Sequence, residues 1–214
     1  MVRSLRSLLL LLLLVAPSAF AGNPWEELMG RKPQMWSDPQ GRFVIDLPQG
    51  WKDEPKSSVA NTVDFWRTDA EHGVTARVSV EVRVVPKGVK LSHFVERVNE
   101  DGRKSVREHR ILQQDQIQVS GVAARRQLVT YQVLGHTEIV NEAVQVILVG
   151  DERAYVITLV SPAGTRGLFW EEFELMTKGF SAGGSESSAV RTSPDQPRKK
   201  LRAGEMVNPD ALKY

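Results

Sequence analysis

Residues 41–55, GRFVIDLPQGWKDEP, decide how the rest of the chain is read. Phe43, Ile45 and Leu47 fall on one face and Val44 and Asp46 on the other, the period of two expected of a half-buried strand. Leu47-Pro48-Gln49-Gly50 then breaks the strand, and Trp51 follows the turn. Upstream, Asp38-Pro39-Gln40-Gly41 suits a type I or II turn, with Pro39 fixing φ and Gly41 relieving the exit. Residues 35–47 therefore read as a hairpin.

Working outward, 63–69 (VDFWRTD) is a third strand and His72-Gly73 a turn. In 74–86 (VTARVSVEVRVVP), Val74, Ala76, Val78, Val80, Val82 and Val84 share one face. Thr75, Arg77, Ser79, Glu81 and Arg83 share the other, which argues an antiparallel strand buried on one side. The period changes at Leu91, Phe94, Val95 and Val98, spaced as a helix, with Ser92 placed to cap it and Gly102 to weaken or end it. The charged run from Glu96 to His109 reads as that helix's solvated face and fraying end. Strands follow at 115–121, 123–135 and 141–161, the last folded into a hairpin at Gly150-Asp151-Glu152. From Ala154 to Val160 both faces are apolar, so that strand is expected to be covered on both sides. Residues 165–180 predict a second helix with Phe169, Phe173 and Met176 as its stripe and Gly179 as its stop. Strands, helix, strands, helix with short connections is the α+β class.

At the N-terminus, Arg3 and Arg6 precede the apolar run Leu8–Ala16 and an Ala19-x-Ala21 pattern. That is a signal peptide over 1–21, cleaved after Ala21 and too short to span a bilayer. A leader over 22–35, a folded domain over 36–181 and a Ser-, Pro- and Gly-rich tail over 182–214 follow. The tail lacks the apolar residues to offset its ordering entropy and reads as disordered. Export to the periplasm or medium is the expectation. The chain has no cysteine, so core burial alone must hold it together, and thiol chemistry is excluded. With Arg3 and Arg6 removed, 26 basic residues face 26 acidic ones, which gives no electrostatic footprint for nucleic acid.

FVIDLPQGW (43–51), the helix near LSHFVERV (91–98) and a last helix closing on FELMTKGF (173–180) together resemble the PsbP-like family, whose relatives include PsbP and the bacterial DcrB-like proteins. The matching positions are Leu47, Pro48, Gly50, Trp51, Gly179 and Phe180. The resemblance implies an α/β/α sandwich around a twisted, mainly antiparallel sheet, in which Trp51 caps one end of the core. It also implies an accessory or assembly protein that binds other proteins, with no cofactor and no enzymatic activity.

No motif for nucleophilic or phosphate chemistry is present, so no catalytic residue is assigned. The best local cluster is Asp69, Glu71 and His72, which could bind a metal ion weakly; a polar turn is the plainer reading. A small-ligand or metal-binding protein using a groove between sheet and helix is thus the alternative to a protein-binding one. Arg125-Arg126 reads as charge protecting an edge strand. Arg198, Lys199, Lys200 and Arg202 form the one basic cluster, available for anionic lipid or acidic partners.

Overall fold

In a computed structural model the chain is described over residues 33–54 and 61–183. The stretch read as a signal peptide, most of the leader, and the tail from 184 on with its basic cluster lie outside the described residues; Ala182, read as the start of the disordered tail, instead pairs with Phe43 in a short strand. Among those described, no helix is long and apolar enough to cross a membrane.

Ten strands and two helices follow in order: β1 (Gln34–Ser37), β2 (Phe43–Leu47), β3 (Lys52–Glu54), β4 (Thr62–Asp69), β5 (Val74–Val84), α1 (Leu91–Ser105), β6 (Arg107–Val119), β7 (Val122–Val133), β8 (His136–Val149), β9 (Arg153–Pro162), a 3-10 turn (Arg166–Phe169), α2 (Trp170–Lys178) and β10 (Ser181–Ala182). They form a seven-stranded sheet in the order β3-β4-β5-β9-β8-β7-β6 and a three-stranded sheet in the order β1-β2-β10. Every pairing is antiparallel.

The seven-stranded sheet is the central layer. Against one face lie α2 and the small sheet, and the larger core gathers there around Phe43, Phe65, Val78, Val80, Tyr155, Ile157, Phe173 and Phe180. Against the other face lies α1, whose Phe94, Val95 and Val98 pack on Ile147, Ala154 and Val156. Strand β9 sends Ala154 and Val156 to one core and Tyr155, Ile157 and Leu159 to the other, which is why it is apolar on both sides. The α+β sandwich expected from the sequence is present, with the N-terminal hairpin split off into its own small sheet.

Four local readings change. Helix α1 has Lys90 as its N-cap with no side-chain cap, so Ser92 lies inside the helix. The helix also runs straight through Gly102 to Ser105. There the missing side chain has a use: a Cβ on Gly102 would come within 2.7 Å of Nε2 of His109, whose ring packs on the helix at that point. Burial, with Arg103 nearby, pushes the His109 imidazole below its ordinary 6.5. Gly102→Ala is therefore expected to swing the ring outward and raise its pKa toward that ordinary value, read by NMR titration of the imidazole.

The other two concern glycine and arginine. Gly179 does end α2, but with φ −83, not a left-handed conformation. Its lack of a side chain makes room instead for the Asp46 carboxyl, which packs directly against it. Arg126 does not guard an edge, because β7 lies inside the sheet. Its guanidinium bonds the Asp115 carboxylate at 3.1 and 2.5 Å, approaches Glu174 at 3.6 Å and lies over the Trp170 ring at 5.4 Å.

The turn after β2 answers the question Trp51 raises. The Trp51 amide donates to the Pro48 carbonyl at 3.3 Å, and Gly50 sits at φ 91, which a side chain would resist. Trp51 itself is buried, meets Phe169 edge-on at 6.3 Å, and donates its indole N–H to Glu172 of α2 at 2.8 Å. Glu172 is buried and also pairs with Arg67 of β4. Turn, strand and helix are thereby joined at one polar node inside an apolar wall.

Candidate functional site: an open groove on the α1 face of the sheet

Helix α1 covers only part of its face of the sheet. The strand registers give three successive rows on that face. Arg83 and Ala154 form one, and Glu81, Val156 and Ile147 the next. Ser79, Thr158, Gln145, Gln127 and Gln114 form the third. The first two rows lie beneath α1, and the third marks its edge, where Gln127 bonds Asn99 of the helix. From β4 to β6 the row beyond runs Trp66, Arg77, Val160, Ala143, Val129 and Ile111; Ala143 and Val129 are buried near the end of α1, Arg77 and Val160 are half-buried, and Trp66 and Ile111 are exposed.

The result is an open groove of about 330 Å³ between the end of α1 and the bare half of the sheet. Val129, Ala143, Val156 and Val160 form its floor; Arg77, Ser79, Tyr131, Gln145 and Thr158 rise from the strands; Asp101, Ser105 and His109 form its helix side. Trp66 and Ile111, at opposite ends of that row, are 38 % and 37 % exposed. Beyond Ile111, the β7–β8 hairpin adds exposed Val133, Leu134, Ile139 and Val140. Exposed apolar side chains thus stand at both ends of this row and at the nearby hairpin, while Ala143 and Val129 in its middle are buried.

The polar groups of the groove divide into two kinds. Arg83 is held: it bonds Glu81 at 2.7 and 3.1 Å and Asp101 at 2.7 Å, and these contacts raise its pKa further. Gln127 is also fixed. It is fully buried, donates to Asn99 at 2.7 Å and to Gln145 at 2.7 Å, and accepts from Gln114 at 2.8 Å. Gln145 lends its carbonyl oxygen to Gln127, and its side chain lines the groove. Arg77 is the other kind. It lies over the Trp66 ring at 5.5 Å, and among the described residues it makes no ion pair. Burial pushes the Tyr131 phenol up, only partly offset by the positive charge of Arg77, so it stands as an O–H donor at neutral pH.

A smaller cavity of about 160 Å³ lies on the opposite face, between α2 and strands β6 and β7. Ile117, Val119, Val146, Trp170 and Phe173 line it. Its ring wall is pinned, since Trp170 is flanked by Arg126 at 5.4 Å and Arg166 at 5.6 Å. It has the makings of a packing gap beside a fixed salt-bridge network.

The residues singled out as metal ligands stand elsewhere. Asp69 ends β4, and Glu71 and His72 occupy the exposed turn into β5, outside the groove lining. Asp69 accepts the His72 amide at 2.9 Å, and its carboxylate lies 3.1 Å from Nδ1 of that ring. The His72 amide, with the ring adding, holds the Asp69 carboxyl below the usual carboxylate range. Among the described residues, no group of three or more His, Cys, Asp or Glu is placed to hold a metal ion. The sequence offered a groove between sheet and helix but not its lining, because the lining comes from five strands and a helix end brought together by strand order.

No family model matches the chain, and no curated protein matches it in sequence. Solved structures do match. LpqN of Mycobacterium tuberculosis superposes at a TM-score of 0.51 with 14% identity, over 71% of this chain and 91% of LpqN. The Ran-binding protein Mog1p of Saccharomyces cerevisiae does so at 0.50 with 14% identity, over 70% of this chain and 95% of Mog1p. Cyanobacterial PsbP of Synechocystis aligns at 0.49 with 16% identity, over 71% of this chain and 92% of that one. A Bacteroides thetaiotaomicron protein matches at 0.50 with 11% identity, and this chain spans 50% of its length. At such identities the likeness is one of fold alone, and it falls on the α+β architecture expected from the sequence.

Proposed function

We propose that this chain is an exported, non-enzymatic accessory protein that binds another protein through the open groove on the α1 face. One observation carries the reading: α1 covers only part of its sheet face, and beside its end lies an open groove flanked by the exposed Trp66 and Ile111. A sheet face of this kind gains free energy when a partner's apolar side chains cover it. The groove's charged groups favour binding over chemistry, because Arg83, Glu81 and Asp101 are spent on one another. Mog1p, described as Ran-binding, and LpqN, described as involved in cell envelope biogenesis, support protein binding as a use of this fold. Residues 1–21 support export, and Arg198, Lys199, Lys200 and Arg202 serve as a secondary contact with acidic partners or anionic lipid.

The groove volume also suits a small molecule, at the low end of the roughly 300–1,000 Å³ such sites occupy, which keeps a small-ligand reading as the second one. The two separate in a pull-down. Ile111→Glu alters an exposed edge side chain, and Trp66→Ala also removes the indole bond to Glu54 and the ring under Arg77, so thermal unfolding is read beside capture for both. Each should weaken co-purification of an envelope partner by about tenfold or more, beyond any loss of folded protein. Unchanged capture by both variants would remove this row of the sheet from the interface.

A further inference from the structure

We propose that Arg77 is the anchor for a carboxylate on the docking partner, whose bound segment carries an Asp or Glu flanked by apolar side chains. This rests on the groove being the protein-binding surface and names the chemistry recognised there. The groove presents donors almost throughout its bare half. Arg77 is a guanidinium without an ion pair among the described residues, held in place by the Trp66 ring. Trp66 is held in turn, donating its indole N–H to Glu54 at 2.6 Å. Lining the groove with Arg77 are the Tyr131 phenol, the Ser79 and Thr158 hydroxyls and the Gln145 amide. On the floor are Val129, Ala143 and Val160. The acidic groups of the groove, Glu81 and Asp101, are both engaged by Arg83, and Glu81 lies four residues along β5 from Arg77. An acceptor with two oxygens fits a planar guanidinium better than a single neutral carbonyl, and such charge-assisted bonds are about twice as strong as neutral ones. The Trp66 ring on one side of Arg77 and Val160 on the other select against a lone, fully hydrated anion and for one borne on an apolar segment.

The full chain would be titrated with fluorescent dodecapeptide pools, apolar at random positions, that carry a central Glu, Gln or Lys. Laurate serves as a carboxylate without a peptide, and sedimentation velocity reports self-association. The expected result is that the Glu pool binds at least about tenfold more tightly than the Gln or Lys pools. That preference disappears in Arg77→Gln and is partly kept in Arg77→Lys, both with unchanged thermal unfolding. Peptides that bind without a Glu preference, or a preference that survives Arg77→Gln, would overturn the anchor and leave the docking groove standing. Laurate binding with no peptide bound, self-association that occupies the groove, or no binding up to about 1 mM would overturn both. If Arg77→Gln unfolds, the Arg77→Lys comparison still decides the point, since it keeps the charge and loses the planar fork.

Discussion

Trp51→Ala is expected to lower the stability of the folded chain by about 4–5 kcal/mol. Truncating a buried tryptophan costs about 3–5 kcal/mol through lost burial and the cavity left behind. Here the substitution also strips Glu172 of its indole donor inside the protein, where a carboxylate with a missing partner is penalised further. For a chain of this size the change corresponds to a fall in Tm of about 10–15 °C. Trp51→Phe divides the two contributions. It keeps most of the aromatic packing against Phe169 and removes only the bond to a charged group, about 1.5–3 kcal/mol. Urea unfolding of the two variants beside the wild type provides the measurement. Equal losses would mean that the bond, and not the ring, holds the turn to α2.

The second large effect sits at the other hairpin. Asp38 and Arg42 flank the β1–β2 turn and are both buried. Asp38 Oδ2 accepts the backbone amides of Gln40 and Arg42, each at 3.1 Å, and the Arg42 Nε at 2.8 Å. Its Oδ1 accepts from Arg42 Nη2 at 2.8 Å, and the Arg42 carbonyl accepts the Tyr155 hydroxyl at 3.0 Å. Asp38→Ala leaves an arginine buried without its counter-charge, a loss of about 3–5 kcal/mol. Asp38→Asn separates charge from shape and brings a pH dependence. The Arg42 side chain, bonded to Asp38, holds its carboxyl below the ordinary 3.8. A carboxyl lowered on folding adds stability that is complete above its unfolded pKa and is lost as pH falls through the folded one. The gap in stability between wild type and Asp38→Asn should therefore be constant at neutral pH and begin to close below about pH 4. A gap that stayed constant into strong acid would contradict the ionised pair.

Much of this architecture was legible because it obeys period. The strand Phe43–Leu47, the long alternation of β5 and the two-faced apolar run of β9 each announce their burial by spacing alone. What was not legible has physical causes. The start of β6, 107–109, reads as a fraying helix end and 110–114 as no element, because an exposed edge strand has no buried face, and without one the period-two signal vanishes. Strands β3 and β10 are three and two residues long, too short for any pattern. The division of the strands into two sheets depends on which hairpin covers which core. Ser92 failed as a cap because the chain enters α1 two residues earlier, at Lys90. The groove's lining was hidden for a related reason. In sequence, Arg77 is one polar residue among five on the outward face of β5; only the order β5-β9-β8-β7 sets it beside Val160, Ala143 and Val129. The Asp69, Glu71 and His72 cluster was legible as residues and as a turn, and the turn is how the structure uses Asp69 and His72.

The central claim is that a partner protein docks on the bare half of the sheet. Its most direct test is in-cell photo-crosslinking with a photoreactive aromatic at Tyr131, inside the groove, and at Glu96, on the exposed side of α1. The account predicts a discrete, ultraviolet-dependent adduct with one envelope protein from position 131, weakened by Trp66→Ala, and none from position 96. An adduct from position 96 alone, or equal adducts from both that ignore Trp66→Ala, would contradict it.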